Sequence, residues 1–152
     1  MNEIKTMLVT TDFSETSRKA FPLARGLAHK FGARIIVAHV EDDRLPPLLG
    51  EYAGVDLGRV LDTQHGRATR DLERLAGAEL GSGTELQLRV VSGTPHVEIV
   101  RMAEETHADL IVMATHGRGF ISHAILGSTT ERVLRRAPCP VLVVRDAGRQ
   151  AG

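Results

Sequence analysis

The sequence is poor in aromatic residues and carries no net charge. Phe, Tyr and Trp make up 3% of its 152 residues, and tryptophan is absent. Proteins that bind single-stranded nucleic acid stack the bases on aromatic side chains, so this composition argues against that class. Acidic and basic residues balance at 19 each, so no net field favours DNA, RNA or an anionic membrane surface. We therefore expect no nucleic-acid partner.

Disulfides and membrane spans are also not expected. The one cysteine, Cys139, cannot form an internal disulfide, which fits a reducing compartment. The longest apolar runs have six to eight residues, whereas a transmembrane helix needs about 20. Met1 to Lys5 lead directly into a strand-like segment, which leaves no room for a signal peptide. These features predict a cytoplasmic protein with no membrane partner.

Lysine is scarce, and its positions exclude one nucleotide-binding motif. The three lysines are Lys5, Lys19 and Lys30, against sixteen arginines. A P-loop needs a lysine directly after its last glycine to reach the β- and γ-phosphates, and no lysine follows Lys30. The sequence also has no G-x-S-x-G motif for a hydrolase nucleophile, and its seven histidines match no zinc-binding spacing. We expect no catalytic residues and no metal held by protein ligands alone.

Short apolar runs alternate with longer segments of helical periodicity. Strands are predicted at about 4–12, 34–40, 85–91, 110–114 and 141–144. Helices are predicted at about 14–31, 57–80 and 129–136, and a further helix is predicted to start at Thr94 and Pro95. The stretch 41–54 contains two prolines and two glycines, so it is predicted to be a loop.

Alternating strands and helices predict an α/β fold with an open five-stranded parallel sheet and helices on both faces. Residues 1–146 are expected to form a single domain, followed by a flexible polar tail at 147–152. Ligands of such sheets bind beyond the carboxyl ends of the strands. The segments of interest are therefore those around Asp12, Val40, Ser92 and His116.

Glycines and hydroxyl residues follow the fourth predicted strand. The segment 114–120 reads ATHGRGF, and 127–131 reads GSTTE at the start of a helix. Bare backbone amides and the positive end of a helix dipole suit phosphate groups, and Arg118 can add positive charge. An alternative needs no ligand, because Ser128 and Glu131 fit the S-x-x-E capping box.

The spacing of this segment resembles a known nucleotide signature. A-T-H-G, nine residues and then G-S closely match the G-x-x-G, nine residues, G-[S/T] pattern of the universal stress protein family. The similarity covers nearly the whole chain. It includes VTTDFS at 9–14, AHV at 38–40, GTP at 93–95, ADLIVM at 108–113 and APCPVLVV at 137–144.

This resemblance implies a Rossmann-like fold of the adenine nucleotide alpha hydrolase type, with strand order 3-2-1-4-5, and a site for ATP. The adenine and ribose would lie near Thr10, Thr11, Asp12 and Val40. The ribose and phosphates would be surrounded by Met113, Ala114, His116, Gly117, Arg118, Gly127, Ser128, Thr129 and Thr130. Mg²⁺ or Mn²⁺ would be bound through the phosphates.

Two positions depart from the family pattern. Ala114 replaces the first glycine, and its methyl group would crowd the ligand if that position needs a positive φ angle. Thr10 stands where proline is frequent in the family, which we expect to be tolerated.

The resemblance also implies a function and an assembly. The expected function is that of a nucleotide-dependent regulator in the stress response. The alternatives are a nucleotide-free stress protein that acts through protein contacts and a slow ATPase. The strand at 140–145 is expected at an edge of the sheet, where pairing with a second copy would make a homodimer.

Overall fold

The structure is a computed structural model that describes residues 3–43, 56–115 and 126–145. In these ranges five strands alternate with helices. The strands are β1 (Thr6–Thr10), β2 (Arg34–Asp42), β3 (Leu86–Gly93), β4 (Leu110–Ala114) and β5 (Val141–Val144). The helices are α1 (Glu15–Arg18), α2 (Ala20–Phe31), α3 (Leu57–Leu80), α4 (Pro95–Glu105) and α5 (Ser128–Arg136).

All strand pairs are parallel, and the sheet order is β3-β2-β1-β4-β5. Both the predicted fold class and the predicted strand order are therefore confirmed. β1 is buried along its whole length and pairs with β2 on one side and β4 on the other. The chain leaves β1 toward one edge of the sheet and later returns to β4 on the other side of β1. The segments after β1 and β4 consequently diverge and leave a crevice at the carboxyl ends of the strands.

Successive residues of each strand pack into two different cores. On one face, Met7 and Val9 of β1 pack with Phe21 of α2 and Leu72 of α3. On the other face, Leu8 belongs to a second cluster that includes residues of α4 and α5. Because neighbouring side chains of a strand point to opposite faces, a continuous apolar run is required to bury both. Helices therefore cover both faces, as the sequence predicts.

The carboxyl ends of two strands extend further than predicted. β2 continues through Glu41 and Asp42, which pair with Ser92 and Gly93 of β3. The loop prediction for 41–54 is therefore wrong at its first two positions. Charged side chains are unusual in a buried strand, so the sequence pattern does not indicate that the strand continues here. The main chain of both residues nevertheless pairs with β3. The rest of that predicted loop from residue 44 onward and the tail at 147–152 lie outside the described residues.

α1 starts and α2 ends at residues that the sequence predicts as caps. Ser14 caps α1 by accepting a hydrogen bond from Ser17 N, and Gly32 ends α2 with a φ of 65°. The predicted helix 14–31 is divided at Lys19 into α1 and α2. No helix among the described residues is both long and apolar enough to span a bilayer.

Asp109 connects β1 to β4 at the amino-terminal end of the sheet. Its Oδ2 accepts hydrogen bonds from the main-chain N–H groups of Lys5 and Thr6, both at 2.9 Å. Asp109 N in turn donates to Thr6 O at 2.8 Å. One side chain therefore accepts hydrogen bonds from two amides at the start of the central strand. These amides precede Met7 and Leu110, where the pairing of β1 with β4 begins.

Replacing Asp109 with alanine should lower the free energy of unfolding by about 1–3 kcal/mol, because two main-chain donors lose a charged acceptor. Urea denaturation followed by circular dichroism measures this change. Glu104→Ala on the exposed face of α4 is the control and should change stability by less than about 0.5 kcal/mol. Equal stability of the two variants would contradict the assigned role of Asp109.

Candidate functional site

A cavity of about 650 Å³ opens at the carboxyl ends of the strands. It is bordered by the ends of β1, β2 and β4, by the start of α5 and by one face of α3. It brings together every predicted site residue in the described ranges: Thr10, Thr11, Asp12, Val40, Met113, Ala114, Gly127, Ser128, Thr129 and Thr130. The other predicted residues, His116, Gly117 and Arg118, lie outside the described ranges.

A buried hydroxyl network holds the segment that follows β1. Thr11 N donates to Ala38 O at 3.0 Å, and Thr11 Oγ1 accepts from Phe13 N at 3.0 Å. Ser17 Oγ donates to Ser14 O, and lies 2.9 Å from Thr11 Oγ1. A hydroxyl has one hydrogen, so Thr11 must be the donor to Ser17. The Thr11 hydroxyl therefore has partners within the protein and acts by shaping the loop.

The same segment directs Asp12 toward the cavity. Asp12 Oδ1 accepts from Ser14 N at 2.9 Å, which makes a local turn. Between them, Phe13 has a φ of 67°, a conformation that costs energy for a residue with a bulky side chain. The ring of Phe13 packs against that of His39, with 4.4 Å between the centroids. This strained residue lies at the cavity next to Asp12, whose carboxylate is held by the hydrogen bond from Ser14 N.

His39 supports the loop from β2. Its Nδ1 lies 2.9 Å from Thr11 O, and a carbonyl oxygen can only accept, so Nδ1 carries the hydrogen. Both His39 and Phe13 line the cavity, although neither was among the predicted site residues. The sequence contains no signal for a positive φ at a phenylalanine, so this contact could not be predicted.

The main chain of Val40 faces the space that β1 leaves empty. The register of β1 with β2 ends at Thr10 and Ala38, and Ala38 O accepts from Thr11 N. Main-chain groups two residues apart on a strand point in the same direction. The N–H and C=O groups of Val40 therefore point toward the cavity, side by side, as one donor and one acceptor.

The start of α5 has no side-chain cap. Gly127 is the N-cap residue, with no side-chain hydrogen bond, and Ser128 is the first helical residue. A capping box needs its serine at the N-cap position, so the capping-box alternative is wrong. Glu131 instead pairs with Arg135 at 2.9 Å. The N–H groups of the first turn thus lack intrahelical acceptors, and this turn borders the cavity.

Hydrogen bonds hold this helix end against β4. Gly127 N donates to Thr115 O at 2.8 Å, and the buried Thr130 Oγ1 donates to Ala114 O at 3.0 Å. The Thr130 hydroxyl hydrogen is therefore used within the protein. Ala114 is a paired residue of β4 and is not one of the residues with positive φ. Its methyl group in place of glycine consequently causes no backbone strain.

One face of α3 forms a wall of the cavity that was not predicted. Gln64, Arg67, Ala68 and Asp71 all line it, at positions that share one side of a helix. The amphipathic pattern of the sequence indicates only the apolar residues of this helix. The spacing of the polar residues, three or four positions apart as in the apolar stripe, could have indicated that they share one face of the helix.

The two ends of the cavity differ in charge. The uncapped start of α5 carries the positive end of the helix dipole. The carboxylates of Asp12, Glu41, Asp42 and Asp71 lie in the rest of the lining. Within the described ranges, no group of three or more His, Cys, Asp or Glu side chains is arranged to hold a metal ion. The cavity therefore suits a ligand that is anionic at one end and rich in donors at the other.

Comparison with known proteins places the chain in one family. The model of the universal stress protein family matches residues 3–145. The universal stress protein MJ0531 of Methanocaldococcus jannaschii is 33% identical over 147 residues, which cover 95% of this chain and 84% of that protein. A universal stress protein of Thermus aquaticus is 34% identical over 142 residues, which cover 93% and 98% of the two chains.

Solved structures agree with the sequence comparison. The structure of protein MJ0577, also of M. jannaschii, matches with a TM-score of 0.84 at 29% identity, covering 97% of this chain and 99% of that one. A universal stress protein in complex with cAMP matches with a TM-score of 0.65 at 27% identity, covering 94% and 98%. By family match, identity and fold, this chain belongs to the universal stress protein family.

Proposed function

We propose that this protein binds ATP in the cavity at the carboxyl ends of its strands and acts as a nucleotide-dependent regulator in the stress response. The observation that carries the proposal is the uncapped first turn of α5, which borders a cavity of about 650 Å³. The N–H groups of this turn, which have no acceptor within the helix, and the helix dipole suit phosphate oxygens. The cavity volume falls in the range of about 300–1,000 Å³ that is usual for small-molecule sites.

The phosphates would lie at Gly127, Ser128, Thr129 and Thr130. Ser128 and Thr129 would contribute their hydroxyls as well as their amides, whereas Thr130 would contribute its amide, since its hydroxyl donates to Ala114 O. Gly127 has a φ of −58°, which any residue can adopt. A glycine there serves the ligand by leaving space beside the phosphates, because it has no side chain.

The adenine ring would be bound by the main chain of Val40. Adenine presents an acceptor, N1, beside a donor, the N6 amino group. This pair is complementary to a neighbouring N–H and C=O, whereas guanine places a donor, N1–H, where adenine has an acceptor. The apolar side chains of Ile99 and Met113, which also line the cavity, would pack against the ring face.

The ribose would lie between these two ends, next to Asp12. A carboxylate has about four acceptor sites, so Asp12 can accept from ribose hydroxyls while Oδ1 keeps its bond to Ser14 N. The strained loop around Phe13 would keep this carboxylate in position before the ligand arrives. Thr10 and Thr11 would support the sugar through the backbone of the same loop.

The remaining phosphate ligands are proposed from the family resemblance. His116, Gly117 and Arg118 would complete the phosphate site, with Arg118 as the cation. Mg²⁺ or Mn²⁺ would be bound mainly by phosphate oxygens and water, as Mg²⁺ commonly is in nucleotide sites. A relative of 27% identity was solved in complex with cAMP, which supports an adenine nucleotide as the ligand class.

A regulatory role is proposed because the described part of the cavity offers groups that would bind a nucleotide, and two hydroxyls and the imidazole in it are used in structural hydrogen bonds. The Thr11 and Ser17 hydroxyls have partners in a structural network, and His39 Nδ1 is bonded to a main-chain carbonyl. None of these groups is arranged as a nucleophile with its base. ATP occupancy would then act by stabilising one arrangement of the cavity walls.

Gly127→Val should lower the affinity for ATP by about tenfold or more, because the branched side chain occupies phosphate space. Isothermal titration calorimetry with MgATP measures this loss. Gly26→Val is the matched control, since an added Cβ at that helical position meets no atom within 4 Å. Unchanged affinity in a folded Gly127→Val protein would contradict the phosphate site. Wild-type protein that neither retains nor binds ATP would contradict the proposed function itself.

We also propose a homodimer formed through the strand at 140–145. β5 is an edge strand, and its four side chains are half-buried. Ile111 N donates to Pro140 O, and Thr115 N donates to Val144 O, so even-numbered residues direct their main-chain groups toward β4. The main-chain groups of Val141 and Val143 consequently point to the open edge, where a second copy could pair with them.

Val143→Pro should convert the dimer to a monomer, because proline removes a donor from the open edge. The pairing of β5 with β4 does not use that N–H group and should persist. Sedimentation at micromolar concentration measures the oligomeric state, and circular dichroism checks the fold. Val143→Thr, which keeps the donor, should remain dimeric. A wild-type protein that sediments only as a monomer would refute this assembly.

A further inference from the structure

The polar face of α3 presents side chains to the cavity without protein partners. Gln64, Arg67 and Asp71 line the cavity, and none of them forms a hydrogen bond or ion pair within the part of the chain that the structure describes. Arg67 and Asp71 are four residues apart, a spacing that permits an ion pair. An arginine that lines a cavity and is left unpaired beside a carboxylate is available to a ligand.

α3 is held firmly where it presents this face. Ala68 and Leu72, on the same helix, are buried, and Leu72 is part of the core that includes α2. His65 Nδ1 lies 2.9 Å from Glu41 Oε2 at the end of β2, and Ser92 Oγ of β3 donates to the same oxygen at 3.3 Å. Arg67 therefore lies in a helix segment that contacts the sheet before it, through His65, and the core after it, through Ala68 and Leu72.

The position of α3 separates Arg67 from the phosphate end of the cavity. α3 packs on β2 and β3, whereas the start of α5 is bonded to the end of β4. β1 lies between β2 and β4, and neighbouring strands are about 4.8 Å apart, so these ends of the cavity are about 10 Å apart. The phosphates would occupy the α5 end, and Arg67 faces the end assigned to the base.

The wall opposite α3 is apolar. Ile99 and Met113 belong to the core on the other face of the sheet, and Val40 packs against it. A flat aromatic ring placed at the Val40 main chain would have hydrocarbon on one side and α3 on the other. A guanidinium group is planar, stacks on ring faces and is weakly hydrated. It is the side chain best suited to cover the second face of such a ring.

We propose that Arg67 is a ligand-contacting residue, whose guanidinium stacks on the face of the bound base opposite Ile99 and Met113. The proposal rests on the proposed function, since it requires a base at Val40. Arg67 would thereby add selectivity for an aromatic heterocycle to a site whose other contacts bind phosphate and sugar. Gln64 and Asp71 lie three and four residues from Arg67 on the same helix face, and in the bound state they would supply acceptors for its edge N–H groups.

Calorimetric titration of Arg67→Ala with three probes tests this contact. The probes are ATP, adenosine and inorganic tripolyphosphate, which carry both parts of the ligand, the base with its sugar, and the phosphates alone. Arg67→Ala should weaken ATP and adenosine binding by the same factor, about tenfold, and leave tripolyphosphate unchanged. Arg67→Lys should stay closer to the alanine variant than to wild type, because an ammonium group keeps the charge and lacks the plane.

Arg70→Ala provides the matched control, since Arg70 is an exposed arginine of the same helix that does not line the cavity. It should bind all three probes as wild type does. Unchanged adenosine affinity in Arg67→Ala, or a loss confined to ATP and tripolyphosphate, would overturn the stacking proposal while leaving the ATP site intact. If wild-type protein binds neither ATP nor adenosine, the proposed function fails first. Urea denaturation of each variant confirms that the compared proteins are equally folded.

Discussion

The pairing of β1 with both β2 and β4 is the constraint on which the rest of the structure depends. β1 is the central strand and is buried along its length, so both faces must be covered by helices. Because the chain continues from β1 to one side and reaches β4 on the other, the crevice must open where these strands end. β1 stops at Thr10 while β2 runs on to Asp42, and this difference in length exposes the main chain of Val40. A longer β1 would pair with those groups and close the site.

The start of α5 and the segment after β1, which both line the cavity, differ in how their polar groups are used. At α5 the helix begins without a side-chain cap, so the amides of its first turn have neither an intrahelical acceptor nor a capping side chain among the described residues. After β1 the opposite holds, since the hydroxyls of Thr11 and Ser17 are bonded to one another and to the main chain. The first arrangement offers donors to an anion, and the second holds a carboxylate in place. The positive φ of Phe13 costs stability in the folded protein. A ligand that satisfies the amides would offset part of this cost.

α3 adds a polar wall to the cavity that was not among the predicted site residues. Its apolar side is part of the core, while Gln64, Arg67 and Asp71 border the cavity. The Glu41–His65 contact joins it to the extended end of β2. In the proposed complex, the start of α5 and the segment after β1 would bind the phosphates and the sugar, and this face of α3 would affect how tightly the base is held.

Most of the fold could be predicted from the sequence, because hydrophobic periodicity and the residues that start or end helices act over a few positions. The buried run 110–114, the serine before α1, the glycine after α2 and the Thr94–Pro95 helix start all carry their structural consequence within a few residues. The spacing from Ala114 to Ser128 likewise identified the family without any coordinates. These are properties of short segments, and tertiary contacts did not alter them.

Other features depend on groups that are distant in sequence, and only the tertiary structure decided them. Glu41 and Asp42 are strand residues because β3 is present to pair with them, although their side chains resemble those of a loop. Ser128 is the first residue of α5 rather than its cap, and the helix start is held by hydrogen bonds from Gly127 N to Thr115 O and from Thr130 Oγ1 to Ala114 O, across more than ten residues of sequence. Arg67 borders the cavity because α3 packs across β2 and β3. Local propensity determines which elements form, and the main-chain groups that neighbouring elements leave unpaired determine where a ligand can bind.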